Sequence, residues 1–161
     1  MEQEEARRLV EEYGSMVYRL AYARTGSRAD AEDITQEVFL RLVRAAPAFR
    51  DGEHRRAWLL RVTANCAKDF FRAPWRRHRP LEEAAALAAP GPEEDRGVLD
   101  AVLALPERYR APVHLFYYEE LSVAEIAAAL GKSEGAVRTR LSRARGMLRA
   151  ALAGEEDEQR V

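Results

Sequence analysis

Cysteine is nearly missing from this chain, lysine almost as scarce, and no stretch alternates apolar and polar residues at strand period. The single cysteine, Cys66, excludes an internal disulfide and any CxxC metal or redox site. His54, His78 and His114 lie too far apart in sequence to make an HxxxH metal pair. No apolar run approaches the ~20 residues that cross a membrane, and the opening "MEQEEARRL" is acidic and amphipathic, unlike a signal peptide. No carboxylate pair, Cys/His pair or phosphate-binding loop stands out, so the chain is not expected to be an enzyme. These absences together predict a cytoplasmic protein with no cofactor and no bound metal.

What is present is helix. Apolar residues make up 47% of the 161, enough for a core, and charged residues make up 33%. The net charge of −1 excludes a globally basic nucleic-acid binder, though not local patches that cancel. A first helix is predicted over about residues 2–24, with Gly26 as its stop. Ser27 and Asp30 resemble a capping box that opens a second helix ending near residue 45, before Pro47. Residues 48–55 read as a polar loop and 56–72 as a third helix. Four of the seven prolines then fall within 73–97, a linker with a basic and an acidic half. One or two helical turns fit at 81–88.

Helical pattern resumes at "VLDAVLAL". Residues 106–120 read as one helix opened by Pro106 and kinked at Pro112. Ser122 and Glu125 form a further capping box, Gly131 stops that helix and Ser133 caps the last. The expected architecture is all-α, two small helical domains joined by a flexible linker, the second a helix-turn-helix. Its boundaries are 1–73, a linker at 74–97, then 98–153, with a frayed acidic tail at 154–161.

The last helix carries the densest charge. Val137, Leu141, Ala144, Leu148 and Leu152 share one face and must be buried. Arg138, Ser142, Arg145 and Arg149 line a flank, while Gly135, Thr139, Arg143 and Gly146 point away from the core. A short capped helix, a glycine turn and a helix with small and basic side chains outward is the pattern that enters a DNA major groove. An ordinary hairpin with a solvated cationic face would read the same way.

The first half has a different character. In "DAEDITQEVFLRLVRA" an acidic side holds Asp30, Asp33 and Glu37, Ile34, Val38 and Leu42 form the buried stripe, and Leu40 stands outside it. Such a face fits a protein partner, or a solvated surface with one exposed leucine. In the third helix Arg61, Asn65, Lys68 and Arg72 make one polar stripe with Trp58 and Asp69 at its edge, and Cys66 falls among core residues. Trp75, Arg76, Arg77, His78 and Arg79 follow. Cations beside aromatics suit melted nucleic acid, where bases stack and phosphates are held; a plain basic helix end has the same composition.

With these segments in order, the chain resembles the extracytoplasmic-function (ECF) group of bacterial RNA polymerase sigma factors over nearly its whole length. "DAEDITQEVFLRL" is similar to the family's core-polymerase-binding helix, "FRDGEHRRAWLLRVTANCAKDFFR" to its −10 loop and helix, and "LPERYRAPVHLFYYEELSVAEIAAALGKSEGAVRTRLSRARGMLR" to its −35-binding domain. The resemblance implies that Asp33, Gln36, Glu37, Phe39 and Leu40 meet the largest polymerase subunit. It implies that Phe49, Arg50, Asp51, Gly52 and Arg56 belong to the loop that captures a flipped −10 base. Trp58, Arg61, Asn65, Lys68 and Arg72 would hold the strands nearby. Ser133, Gly135, Arg138, Thr139, Ser142 and Arg143, with Arg145 and Arg149 on the flank, would face the −35 duplex. Asp69 departs from the pattern, since an amide is also common there. Core polymerase, promoter DNA and an anti-sigma factor are the implied partners. A helix-turn-helix regulator with a sensory or dimerising first domain is the rival reading, and it leaves the acidic helix and the Arg61–Arg72 stripe unexplained.

Overall fold

The computed structural model describes the backbone of residues 1–72 and 101–159, and the side chains of residues 1–70 and 101–151. All regular structure among the described residues is helical. The predicted linker, its basic segment and the turns at 81–88 lie outside them.

Helix α1 (Gln3–Thr25) stops at Gly26, whose φ of 68° lets its N–H turn back 2.7 Å to the Tyr22 carbonyl. Helix α2 (Arg28–Ala45) is capped by the Ser27 hydroxyl, which accepts the Asp30 N–H at 3.3 Å. Helix α3 (Gly52–Arg72) starts four residues before the sequence expectation of 56. The cause is Asp51: its carboxylate accepts the His54 N–H at 2.7 Å and its carbonyl the Arg55 N–H at 3.2 Å. An aspartate cap was concealed in what reads as a polar loop.

In the second half residues 101–104 are helical, followed by α4 (Glu107–Val113). Pro112 has no N–H to return to the carbonyl four residues back. The expected single kinked helix instead continues as a π-helical turn over His114–Tyr118, closed by Glu119 N–H to the His114 carbonyl at 3.2 Å. Helix α5 (Val123–Leu130) carries the full reciprocal Ser122–Glu125 capping box and ends at Gly131, φ 64°. Helix α6 (Glu134–Gln159) starts on the Ser133 hydroxyl, which accepts the Ala136 N–H at 3.1 Å. It runs on through most of the segment expected to fray. Ala150, Ala151 and Ala153 just before it favour helix, and one Gly154 costs only about 1 kcal/mol.

The core gathers Val17, Leu20, Ile34, Val38, Leu42, Leu59 and Leu60 from α1–α3 with Tyr109, Leu115, Ile126 and Val137 from the second half. Each such aliphatic side chain contributes about 1.5–3 kcal/mol through burial. These residues form one contiguous cluster, because α1 packs on α4 and α3 packs on α5. The two halves are docked.

Candidate nucleic-acid interface and partner face

Three surfaces emerge from this packing. The first is the outer side of α6. Val137, Leu141 and Ala144 are buried and Leu148 is partly so, which turns the opposite side outward. Ser133, Gly135, Arg138, Thr139, Ser142, Arg143, Arg145 and Arg149 are all exposed, on the side that the sequence assigns to DNA. Several are held in place. Arg138 pairs with Glu134 at 3.3 Å, Thr139 donates its hydroxyl to the Gly135 carbonyl at 3.0 Å, and Arg145 Nε donates to the Tyr117 hydroxyl at 3.2 Å. Arg108 and, less strongly, Arg143 hold the Tyr109 phenol below its ordinary pKa by hydrogen bonding to it. Such exposed cations can meet phosphates or guanine edges.

The second surface surrounds the start of α3. Phe49 sets its ring edge-on to Trp58 (centroids 5.8 Å) and to His54 (5.5 Å), with the Arg55 guanidinium 5.5 Å above it. The Arg50 N–H donates to His54 Nδ1 at 3.1 Å. Phe49 and Trp58 therefore anchor the loop, while Arg50, Asp51 and Gly52 stay exposed at its tip. His54 and Arg55 were missed as partners of Phe49, although the Asp51-x-x-His54 spacing of an N-cap was available to signal them. Arg61, Asn65 and Lys68 are exposed along one side of α3, whereas Arg56 turns toward the second half. Arg72 is described in backbone only.

The third surface is α2. Gln36 is exposed, Asp33 and Glu37 are half-buried, and Leu40 is 48% exposed with Val43 beside it at 42%. Phe39 departs from its assignment to this face: at 9% exposure it belongs to the core, because α2 follows directly on the Val38 stripe. Arg41 joins the face unpredicted, bridging Glu37 at 3.1 Å and Asp69 of α3 at 3.6 Å. Asp69 is thus tied to α2 on its exposed side. Cys66 is buried as expected, and burial pushes its thiol up to about 11, which leaves it inert. Among the described residues no cluster of His, Cys, Asp and Glu could hold a metal, and no helix is long and apolar enough to cross a membrane.

A three-helix unit followed by a helix-turn-helix with a cationic outer face defines the class of all-α helix-turn-helix folds. Residues 9–77 match sigma-70 region 2 and residues 95–148 match sigma-70 region 4. The chain is 37% identical to the ECF RNA polymerase sigma factor SigE of Mycolicibacterium smegmatis, over 93% of its own length and 62% of SigE. It thus spans under two thirds of that relative. It is 32% identical to the ECF sigma factor SigL of Mycobacterium tuberculosis, covering 91% of this chain and 88% of SigL. The structure of CnrH, solved with the cytosolic domain of CnrY, superposes with a TM-score of 0.67 at 29% identity, over 95% of this chain and 90% of CnrH. The chain belongs to the ECF group of RNA polymerase sigma factors.

Proposed function

We propose that this chain binds bacterial core RNA polymerase and directs promoter recognition, −10 melting and initiation, with the catalysis left to the polymerase. The observation that carries the reading is the division of labour between surfaces. A cationic helix face suits a duplex, an aromatic-anchored loop beside a cationic stripe suits unstacked bases, and an acidic face with exposed Leu40 and Val43 suits a protein. On this reading residues 1–73 hold polymerase and the −10 element, and 98–153 hold the −35 element. Asp33, Gln36, Glu37 and Leu40 contact polymerase, with Phe39 shaping that face from beneath. Phe49, Arg50, Asp51, Gly52 and Arg56, then Trp58, Arg61, Asn65, Lys68 and Arg72, serve the −10 strands. Binding to flipped bases offsets unstacking, a few kcal/mol per base, so opening needs no nucleotide hydrolysis.

A protein partner of the anti-sigma kind is part of the proposal; CnrH was solved in complex with another protein, the cytosolic domain of CnrY. Reconstitution with bacterial core polymerase tests the whole reading. Initiation at a discrete start site that depends on this chain is the expected result. Tight palindrome binding by a free dimer, with no effect on polymerase, would replace it with a regulator.

A further inference from the structure

Beside its apolar contacts and the Arg24–Glu107 pair at 3.6 Å, the seam between the halves holds one buried acid. Glu119, from the second half, has a side chain only 6% exposed. Arg19 of α1 reaches its Oε1 through Nε at 3.2 Å and Nη2 at 3.1 Å. Arg56 of α3 donates from Nη2 to the Glu119 backbone carbonyl at 2.6 Å and lies 3.4 Å from Oε2. Within its own half Glu119 has His114 Nε2 at 3.5 Å, and Tyr118 offers its ring to the Arg19 guanidinium at 5.1 Å. The next residue, Glu120, sits at φ 56°, a left-handed conformation that strains a non-glycine residue. The carboxylate and the carbonyl of one residue thus hold two cations from two different helices of the other half.

Two features make this contact reversible. The arginine side chains are 37% and 36% exposed, so their outer sides already meet water and parting leaves no cation stranded in an apolar site. The acid itself gains hydration when the halves separate.

The closed form also cannot be the working one. Elements centred at −10 and −35 lie about 85 Å apart at 3.4 Å per base pair, whereas a compact chain of this length has a radius of gyration of roughly 15 Å. We propose that Glu119, Arg19 and Arg56 form a latch that holds the free protein closed and withholds Arg56 from the −10 strands until the halves part. This rests on the sigma reading for the need to open and for what Arg56 does afterwards, but not for the closure itself.

Spin labels on Glu12→Cys and Ala150→Cys, both exposed positions, would report the distance between halves. Cys66 is buried and stays unlabelled. The free wild-type chain should give one narrow distance, and Glu119→Gln and Arg19→Ala should each broaden and lengthen it with helical content unchanged. Core polymerase should lengthen it in all three. Glu119→Gln should bind core about three- to tenfold more tightly, because a closed ground state lowers apparent affinity by the fraction that is open. Distances in both variants equal to the wild type, or an unchanged core affinity, would overturn the latch. If Glu119→Gln loses helical signal, the partly exposed Arg19→Ala decides. Altered distances with no core binding by any form would overturn the sigma reading and leave the closure standing.

Discussion

The two halves of the chain handle their cations in opposite ways. On α6 the arginines are exposed and steadied from one side only, Arg138 by Glu134 of the same helix, Arg145 and Arg143 by the neutral hydroxyls of Tyr117 and Tyr109. In the first half the informative cations are engaged between elements, Arg41 across α2 and α3, Arg56 across the seam to Glu119. A surface built on one helix follows from periodicity alone. A surface built from a loop and several helices depends on how those helices pack, and part of it is closed in the free protein.

The sharpest way to break that comparison is to disable one half's surface without touching the other. Asp33→Lys with Glu37→Lys should abolish core polymerase binding, by at least about a hundredfold, since opposed like charges cost several kcal/mol at an interface. The −35 surface should be untouched. The fold should survive, because Glu37 belongs to a partly exposed i,i+4 pair with Arg41, and such pairs contribute about 0–1 kcal/mol. A core pull-down beside a helical-content spectrum checks this; retained binding with a normal spectrum would remove the α2 face from the mechanism.

Within the second half, Arg143→Ala and Arg149→Ala should differ in kind. Arg143 points outward near the middle of α6, whereas Arg149 lies on the flank toward its C-terminal end. Loss of a base contact should shift preference among −35 sequences by about 1–3 kcal/mol, while loss of a phosphate contact should weaken all sequences alike and reduce the salt slope by about one. Titrations of a −35 panel at several salt concentrations distinguish them. Identical profiles would erase the difference.

The hairpin that presents α6 depends on its turn. Gly131 holds φ 64°, and an added Cβ would meet nothing within 4 Å, so Gly131→Ala pays only the left-handed backbone cost. That is roughly 1–2 kcal/mol. Denaturant unfolding should report that loss with an unchanged slope, and −35 binding per folded molecule should hold.

Most helices were legible because caps and stripes are local. Gly26, Ser27, Ser122, Gly131 and Ser133 stand at the ends the sequence marks, and Val137, Leu141 and Ala144 are buried as their spacing requires. The misses are of two kinds. Asp51 caps α3 from inside a polar stretch and Pro112 gives way to a π turn, both local signals that a polar loop and a kinked helix conceal. Phe39 sinks into the core beside Val38, and Glu119 is covered when two halves close on it; these need the position of another element to be known. The cationic face of α6 was therefore readable residue by residue, and the seam was not.

The smallest effect tests the boundary between those two kinds of information. Glu125 completes the α5 capping box by accepting the Ser122 N–H at 3.0 Å, while its own N–H donates to the Ser122 hydroxyl at 3.1 Å. The Ser122 backbone bond, then the Ser122 hydroxyl, lower its carboxyl from the ordinary 4.5 against slight burial, and Arg56 from the other half lowers it further. A carboxyl depressed in the folded state stabilises fully above its unfolded value and loses that contribution as pH falls through the lower folded one. Stability should therefore decline below about pH 4.5, and Glu125→Gln should flatten part of that decline. Ser122→Ala should cost about 0.5–2 kcal/mol at neutral pH through loss of the cap. Because Ser122 outranks Arg56 among the causes, opening the seam with Arg19→Ala should leave most of the depression in place. Nuclear magnetic resonance titration of the Glu125 carboxyl in Arg19→Ala and Ser122→Ala would measure the contribution from across the seam and that of the Ser122 hydroxyl separately, with the Ser122 N–H bond kept in both. A larger rise in Arg19→Ala than in Ser122→Ala would mean that even this helix cap is governed by the other half of the chain.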